Sequence, residues 1–125
     1  MKRLIITILL TVIILTTCIS AVIIIGNSCD EMIAMLEEVE RLCGENSDEL
    51  AAACDKAEEK WCEIEPVISL FIDHDSARTV GESISELPPL ALAEEKAELL
   101  SHCRAAKIKL QHIKNTEEPG WLNIL

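Results

Sequence analysis

The densest group of chemically reactive side chains in the sequence is Asp73-His74-Asp75, in which two carboxylates flank one imidazole. His102 and His112 lie on a predicted helix further along the chain, and Glu98 precedes His102 by four residues on the same helical face. Carboxylate and imidazole groups are zinc ligands, so a metal site is one hypothesis. Aspartate also caps helices, and no zinc-signature spacing occurs, so we expect a helix cap instead. The metal candidates of the alternative hypothesis are Asp73, His74, Asp75 and His102.

The sequence has no residue pattern typical of catalysis or cofactor binding. Only four glycines occur and none are grouped, so there is neither a glycine-rich phosphate loop nor a nucleophile elbow. Carboxylates are abundant, but in so acidic a chain they are expected on solvated helix faces. We therefore predict that the protein is not an enzyme, and that it has no catalytic residue and no cofactor.

Five of the six cysteines follow the apolar N-terminal segment, and an odd number cannot all pair within one chain. Cys29, Cys43, Cys54 and Cys103 fall on predicted apolar stripes, where cysteine packs as a small apolar residue. Reduced, packed thiols are the first hypothesis. The alternative is one disulfide that joins two helices, from Cys43 or Cys54 to Cys103. Redox catalysis is disfavoured because there is no Cys-x-x-Cys motif.

An uncharged apolar segment lies near the start of the chain, where 17 of the 22 residues from Leu4 to Ile25 are apolar. A helix of this length would measure about 33 Å, enough to cross a hydrocarbon layer of about 30 Å. Lys2 and Arg3 precede the segment and mostly acidic residues follow it. The positive-inside bias therefore predicts a single-pass protein of the cell membrane, with a cytoplasmic N-terminus and an extracytoplasmic C-terminal domain. A cleaved signal peptide is the alternative, but its apolar region is shorter, about 7–15 residues.

Four amphipathic segments follow a predicted hinge at Gly26-Asn27-Ser28, and Gly44 is expected to end the first of them. Apolar residues in these segments recur every three or four positions, which indicates helices with one buried face. The four stripes are Cys29, Met32, Leu36, Val39 and Cys43; Leu50, Cys54, Ala57, Trp61, Ile64, Ile68 and Phe71; Ala77, Val80, Ile84 and Leu87; and Leu92, Leu99, Cys103, Ala106, Leu110 and Ile113.

The remaining helix boundaries are indicated by capping residues and prolines. Ser47 is expected to cap the second helix, which continues across Pro66 as one bent element. Asp75 or Ser76 is expected to cap the third helix, and Pro88-Pro89 to end it.

These elements predict an all-α protein with one N-terminal transmembrane helix followed by an antiparallel bundle of about four helices. Residues 1–27 form the cytoplasmic tip and membrane anchor in this prediction, residues 28–116 an acidic bundle, and residues 117–125 an apolar tail. Because Trp121-Leu122-Asn123-Ile124-Leu125 is too apolar for a free terminus, we expect the tail to dock on the bundle or on lipid headgroups.

The chain is strongly acidic, with 11 basic and 22 acidic residues and a formal charge of −11. Such a surface repels phosphate, so a nucleic-acid partner is disfavoured. Tyrosine is absent and Phe71, Trp61 and Trp121 are the only aromatic residues, which leaves little material for base stacking. The partner classes that remain are the membrane and another membrane protein.

Several short features of the sequence together resemble one family of bacterial membrane proteins. They are the basic N-terminal anchor, the acidic helical region, Trp61, Phe71-Ile72-Asp73-His74-Asp75, Ser83 and Asn123-Ile124-Leu125. In these features the chain is similar to domain of unknown function 4363 over nearly its full length. The resemblance implies a small single-pass protein typical of Gram-positive spore-forming bacteria, sometimes encoded beside a multi-pass membrane protein. It implies no activity and no catalytic residue.

We therefore predict a membrane-tethered bundle that serves as a non-enzymatic interaction or accessory module for another membrane protein, through an exposed groove or its transmembrane face. The alternative is an extracytoplasmic sensor of a ligand or metal ion that uses Asp73-His74-Asp75. An apolar groove outside the core would favour the module. Convergence of His102 or His112 on Asp73-His74-Asp75 would favour the sensor. The sequence does not indicate whether the protein forms homo-oligomers.

Overall fold

The described residues, 1–46 and 48–117 of a computed structural model, form helices and contain no strand. The helices are α1 (Lys2–Gly44), α2 (Leu50–Ile68), α3 (His74–Ser85), α4 (Leu87–Leu92) and α5 (Lys96–Glu117). The all-α prediction is confirmed: one long apolar N-terminal helix leads into a helical bundle built from the second half of α1 with α2, α3, α5 and the short α4. The predicted cap Ser47 and residues 118–125 of the predicted tail lie outside the described residues.

Helix α1 is one unbroken helix of 43 residues, about 65 Å long. The hinge predicted at Gly26-Asn27-Ser28 is wrong, because the helix continues through all three residues. A glycine inside a helix costs only about 1 kcal/mol. Ile25 and Cys29, on either side of Gly26, are both completely buried on the same face, so packing against the bundle supports the helix where the glycine alone would weaken it.

The second half of α1 supplies one wall of the hydrophobic core. Its predicted stripe is buried as expected, and the burial extends one turn further towards the N-terminus. The buried residues of α1 are Ile25, Cys29, Met32, Leu36, Val39, Leu42 and Cys43. This helix therefore has two different surfaces along its length: a one-sided apolar stripe in the bundle, and aliphatic side chains exposed on every side before residue 21.

Helix α2 ends earlier than its apolar stripe predicted. Leu50, Cys54, Ala57, Trp61 and Ile68 are buried and Ile64 is half-buried. The extension of the stripe to Phe71 is wrong, because the helix ends at Ile68 and 43% of Phe71 is exposed.

The physical reason is a change of hydrogen-bond pattern in the turn after Pro66. The N–H groups of Leu70 and Phe71 donate to carbonyls three residues back, which tightens the chain out of the α-helical register. The apolar stripe in the sequence does not show where the helix ends, because most side chains of the turn are apolar as well.

Prolines and a loop also shift the predicted boundaries around α4. Pro88-Pro89 was expected to end the third helix, but α3 ends at Ser85 and the prolines occupy the first turn of α4. There the missing N–H groups would have no helical partner in any case. Leu92, predicted as the first member of the last stripe, is 79% exposed because α5 begins only at Lys96. The other members of that stripe are buried as predicted: Leu99, Cys103, Ala106, Leu110 and Ile113.

Three ion pairs between helices give the register of the bundle. Lys60 Nζ of α2 lies 3.2 Å from a carboxylate oxygen of Glu31, and Lys107 Nζ of α5 lies 2.9 Å from one of Glu40. Lys114 Nζ of α5 lies 2.7 Å from a carboxylate oxygen of Asp30. Because Lys107 pairs further along α1 than Lys114 does, α5 runs antiparallel to α1. The bundle therefore places the ends of α2 and α5 beside the apolar half of α1.

Trp61 packs against α3 at a position where only a glycine fits. A Cβ atom added at Gly81 would lie 2.8 Å from Trp61 Nε1, closer than real contacts allow. The indole is 98% buried, and among the described side chains its Nε1 is the buried polar atom without a hydrogen-bond partner. The close approach of α2 and α3 thus depends on Gly81.

We predict that Gly81→Ala destabilises the fold by about 1–2 kcal/mol, because the added methyl group overpacks the indole site. Helix propensity alone predicts the opposite, a gain of about 1 kcal/mol. Thermal unfolding of the full chain in detergent micelles measures the difference. Gly44→Ala is the matched control, since a Cβ at Gly44 meets nothing within 4 Å. A melting temperature of Gly81→Ala at or above that of the parent would contradict the packing described here.

Candidate functional site

Asp73-His74-Asp75, the group of reactive side chains found in the sequence, lies at the corner between α2 and α3. There it forms a helix cap. Asp73 is the N-cap of α3, and its carboxylate accepts hydrogen bonds from the Ser76 backbone N–H at 2.9 Å and from the Ser76 hydroxyl at 2.6 Å. These bonds lower the pKa of the Asp73 carboxyl below its usual value. The Asp73 carboxylate is therefore ionised, and the cap is present, at pH values above the ordinary aspartate pKa. The cap is lost as the pH falls through the lowered pKa of Asp73. The prediction that Asp75 or Ser76 caps this helix is wrong, because the helix begins at His74 and its N-cap, Asp73, lies two or three residues earlier.

The other members of the corner do not converge into a ligand set. His74 is exposed at the first position of α3, and Asp75 forms an exposed ion pair with Arg78 at 3.3 Å. Asp75 and His112 line one cavity of about 200 Å³ between α3 and α5, whereas His74 and His102 do not line it. Within residues 1–46 and 48–117, no group of three or more histidine, cysteine, aspartate or glutamate side chains could hold a metal ion. Of the residues considered for the sensor hypothesis, Asp75 and His112 are the two that line the same cavity.

A groove runs between α1 and α2 on the outside of the bundle, and we call it the α1–α2 groove. One part has a volume of about 390 Å³ and a second, more open part has about 470 Å³; Met35 and Lys56 line both. The first part is lined by Met35, Glu38, Leu42, Glu49, Ala52, Ala53 and Lys56. The second part continues along α2 past Glu59, Lys60, Cys62 and Glu63.

The floor of the α1–α2 groove is apolar and its rims are charged. Met35 and Ala53 are half-buried and pack against the core, and the small side chain of Ala52 leaves space beside them. Glu38 and Lys56 stand exposed on the two rims. A hydrogen bond from the Arg41 side chain lowers the pKa of Glu38, so Glu38 is ionised and forms an ion pair with Arg41 on this rim. The flexible thioether side chain of Met35, beside Ala52 and Ala53, can adapt its shape to apolar side chains of a bound helix.

A family model, Domain of unknown function (DUF4363), matches residues 19–124 of the chain. The chain belongs to this family. The DUF4363 match begins inside the apolar half of α1 and includes the whole described bundle, so the corner and the groove both lie within it. No curated protein and no solved structure matches the chain. The family confirms the resemblance seen in the sequence and carries no assigned activity.

Sequence reasoning did not find the residues of the α1–α2 groove, although two signals were present. Met35 lies off the buried stripe of α1, where a large apolar side chain has no core position to fill. Ala51-Ala52-Ala53 gives the first turn of α2 an unusually smooth surface. Neither signal identifies a groove until the register of α1 against α2 is known.

The cysteines pack in the core where the stripes placed them. Cys29, Cys43, Cys54 and Cys103 are buried, and none of the six cysteines of the DUF4363 chain forms a disulfide, so no disulfide joins Cys43 or Cys54 to Cys103. Burial raises the pKa of the Cys54 thiol to about 11 and that of Cys103 to about 12. Thiolate is the reactive form, so these two thiols are inert at neutral pH. Cys62 is exposed on the flank of α2.

We predict that a water-soluble, membrane-impermeant maleimide labels Cys62 of the folded protein at pH 8 and leaves Cys54 and Cys103 unmodified. At this pH a thiol of pKa 11 is ionised in only about one molecule in a thousand, and both thiols are also shielded by packing. Mass spectrometry of the labelled peptides reads the result, and Cys62→Ser is the control. Modification of Cys54 or Cys103 as fast as that of Cys62, before unfolding, would show that the core is open.

Proposed function

We propose that this chain is a non-enzymatic, single-pass membrane protein that binds another membrane protein through the α1–α2 groove. The observation that carries the proposal is the groove itself. It lies outside the buried core, its floor is apolar, and its rims bear charges of both signs. This is the arrangement that binds the apolar face of a helix or an extended segment of a partner.

The membrane part of the proposal is supported by the first half of α1. Its side chains before residue 21 are mostly apolar and all exposed, which is unlike the core helix of a soluble protein. A signal sequence has the same character. Ala21, Val22 and Ile25 pack on the bundle within the apolar segment, however, so this end of the segment belongs to the folded structure and favours its retention.

The position of the groove along α1 supports a membrane protein as the partner. Met35 and Leu42 lie 10 and 17 residues beyond Ile25, so the first part of the groove lies about 15–25 Å from the end of the apolar segment. The second part extends along α2 to Lys60, which pairs with Glu31, about 9 Å beyond Ile25. Because α1 is continuous, the groove keeps a fixed distance from the apolar segment. Loops or helices that project a short distance from a neighbouring membrane protein reach such a surface without any domain movement.

We predict that Ala52→Arg abolishes recovery of the partner when the tagged full chain is purified from native membranes in mild detergent. The large side chain fills the groove at an exposed position, so the bundle itself keeps its stability. Ala97→Arg is the matched control, because Ala97 is also exposed on a helix but lies outside the groove. Quantitative mass spectrometry compares the two purifications. Equal recovery with both variants would exclude the groove as the binding surface.

The orientation of the protein is a separate part of the proposal. Lys2 and Arg3 precede the apolar segment, whereas Asp30, Glu31 and Glu37 follow it, which supports a cytoplasmic N-terminus. We predict that a phosphatase reporter, which is active only outside the cytoplasm, is active when fused after Leu125. A fluorescent reporter that folds only in the cytoplasm is the complementary control. Activity of the cytoplasmic reporter alone would reverse the orientation.

A further inference from the structure

We propose that the turn between α2 and α3 is a second membrane contact, in which exposed apolar side chains enter the boundary between lipid headgroups and acyl chains. We define this membrane-proximal corner as residues 66–72, Pro-Val-Ile-Ser-Leu-Phe-Ile. The inference rests on the proposed membrane span of α1. The occupant of the corner is the lipid bilayer in which α1 itself lies.

The level of the membrane-proximal corner follows from the antiparallel register of α1 and α2. Lys60 pairs with Glu31, so each step towards the end of α2 corresponds to one step towards the start of α1. Ile68 is eight residues beyond Lys60 and therefore lies level with Ile23, inside the apolar segment. Burial on α1 agrees: residues before 21 are exposed, whereas Ala21 and Val22 are half-buried against the bundle.

The hydrocarbon boundary falls at the same level. A layer of about 30 Å is crossed by about 20 helical residues, so a span that starts at Leu4 ends near Ile23. The bundle is held near this boundary, because α1 continues from the apolar segment into the bundle without a break in the helix. The turn after Ile68 is therefore held at the membrane surface.

The composition of the membrane-proximal corner suits this position. Between Glu65 and Asp73 there is no charged residue, in a chain of which 26% is charged. Leu70 is 77% exposed, Phe71 43% and Val67 42%, and these are neighbouring positions on one turn. Outside the apolar half of α1, the other large exposed apolar side chains in the described residues are scattered singly on α4 and α5: Leu92, Leu100 and Ile108.

Continuity with the surface of α1 identifies the occupant as lipid. The exposed aliphatic side chains of α1 extend as far as Ile24, which is 44% exposed, and the corner begins at that level. Lipid that surrounds α1 therefore meets Leu70 and Phe71 next. Amphipathic segments of this kind lie about 5–10 Å deep in the headgroup and acyl boundary.

Quenching of tryptophan by lipid tests the proposal on the full chain in vesicles. Phosphatidylcholine brominated near the headgroup quenches indoles that enter the boundary. Tryptophan is introduced singly by Leu70→Trp and by Leu92→Trp, the matched control, since Leu92 is 79% exposed at the opposite end of the bundle. Ile13→Trp, in the middle of the apolar segment, reports on the span of α1 separately. The emission of the parent, which contains Trp61 and Trp121, is subtracted from each.

We expect the brominated lipid to quench Leu70→Trp at least threefold more than Leu92→Trp, with Phe71→Trp giving the same result. Equal quenching at positions 70 and 92, with Ile13→Trp quenched, would overturn the second contact and leave the membrane span intact. No quenching of Ile13→Trp would overturn both. Quenching of Leu70→Trp only after residues 118–125 are deleted would mean that the C-terminal segment covers the corner, which also overturns the proposal.

Discussion

The structure depends on one constraint: helix α1 is continuous from Lys2 to Gly44 and presents two different surfaces along its length. Before residue 21 it exposes aliphatic side chains on every side, and from Ile25 it buries a single stripe in the bundle. Helices α2 and α5 pack directly on this helix, and α3 and α4 pack on α2 and α5. The distances of the α1–α2 groove and of the membrane-proximal corner from the apolar segment follow from the continuity of α1, because each residue of a helix adds about 1.5 Å along its axis.

Charge placement sets the register of α2 and α5 against α1 in a chain with a large excess of negative charge. The formal charge is −11, and three of the few lysines, Lys60, Lys107 and Lys114, pair with acids of α1. The Lys107–Glu40 pair is the most shielded, with about three quarters of each side chain buried, whereas the other two are partly solvated. Surface pairs contribute little stability singly, so their main effect here is on the register of the helices, while the apolar stripes supply the stability.

Periodicity predicted most of the core and little of the candidate site. Leu36 or Leu110 could be assigned to the core from the sequence, because burial on one helix face imposes a period of three to four residues. The hinge at Gly26, the end of α2 and the position of Leu92 could not, since packing and local hydrogen bonding override weak propensities there. The α1–α2 groove is a property of two helices in a particular register, so no single stretch of sequence encodes it. A helix cap was predicted at the start of α3, but at Asp75 or Ser76 instead of Asp73.

Hydrogen–deuterium exchange of the full chain in lipid nanodiscs tests the continuity of α1 most directly. Backbone amides that are helical and packed exchange slowly, whereas those of a hinge exchange at nearly the rate of an unfolded chain. The structure predicts slow exchange at Gly26, Asn27 and Ser28, comparable to that between Met32 and Val39. Fast exchange confined to residues 26–28 would contradict the account, because the bundle would then be free to turn relative to the apolar half of α1, and its surfaces would have no fixed distance from that segment.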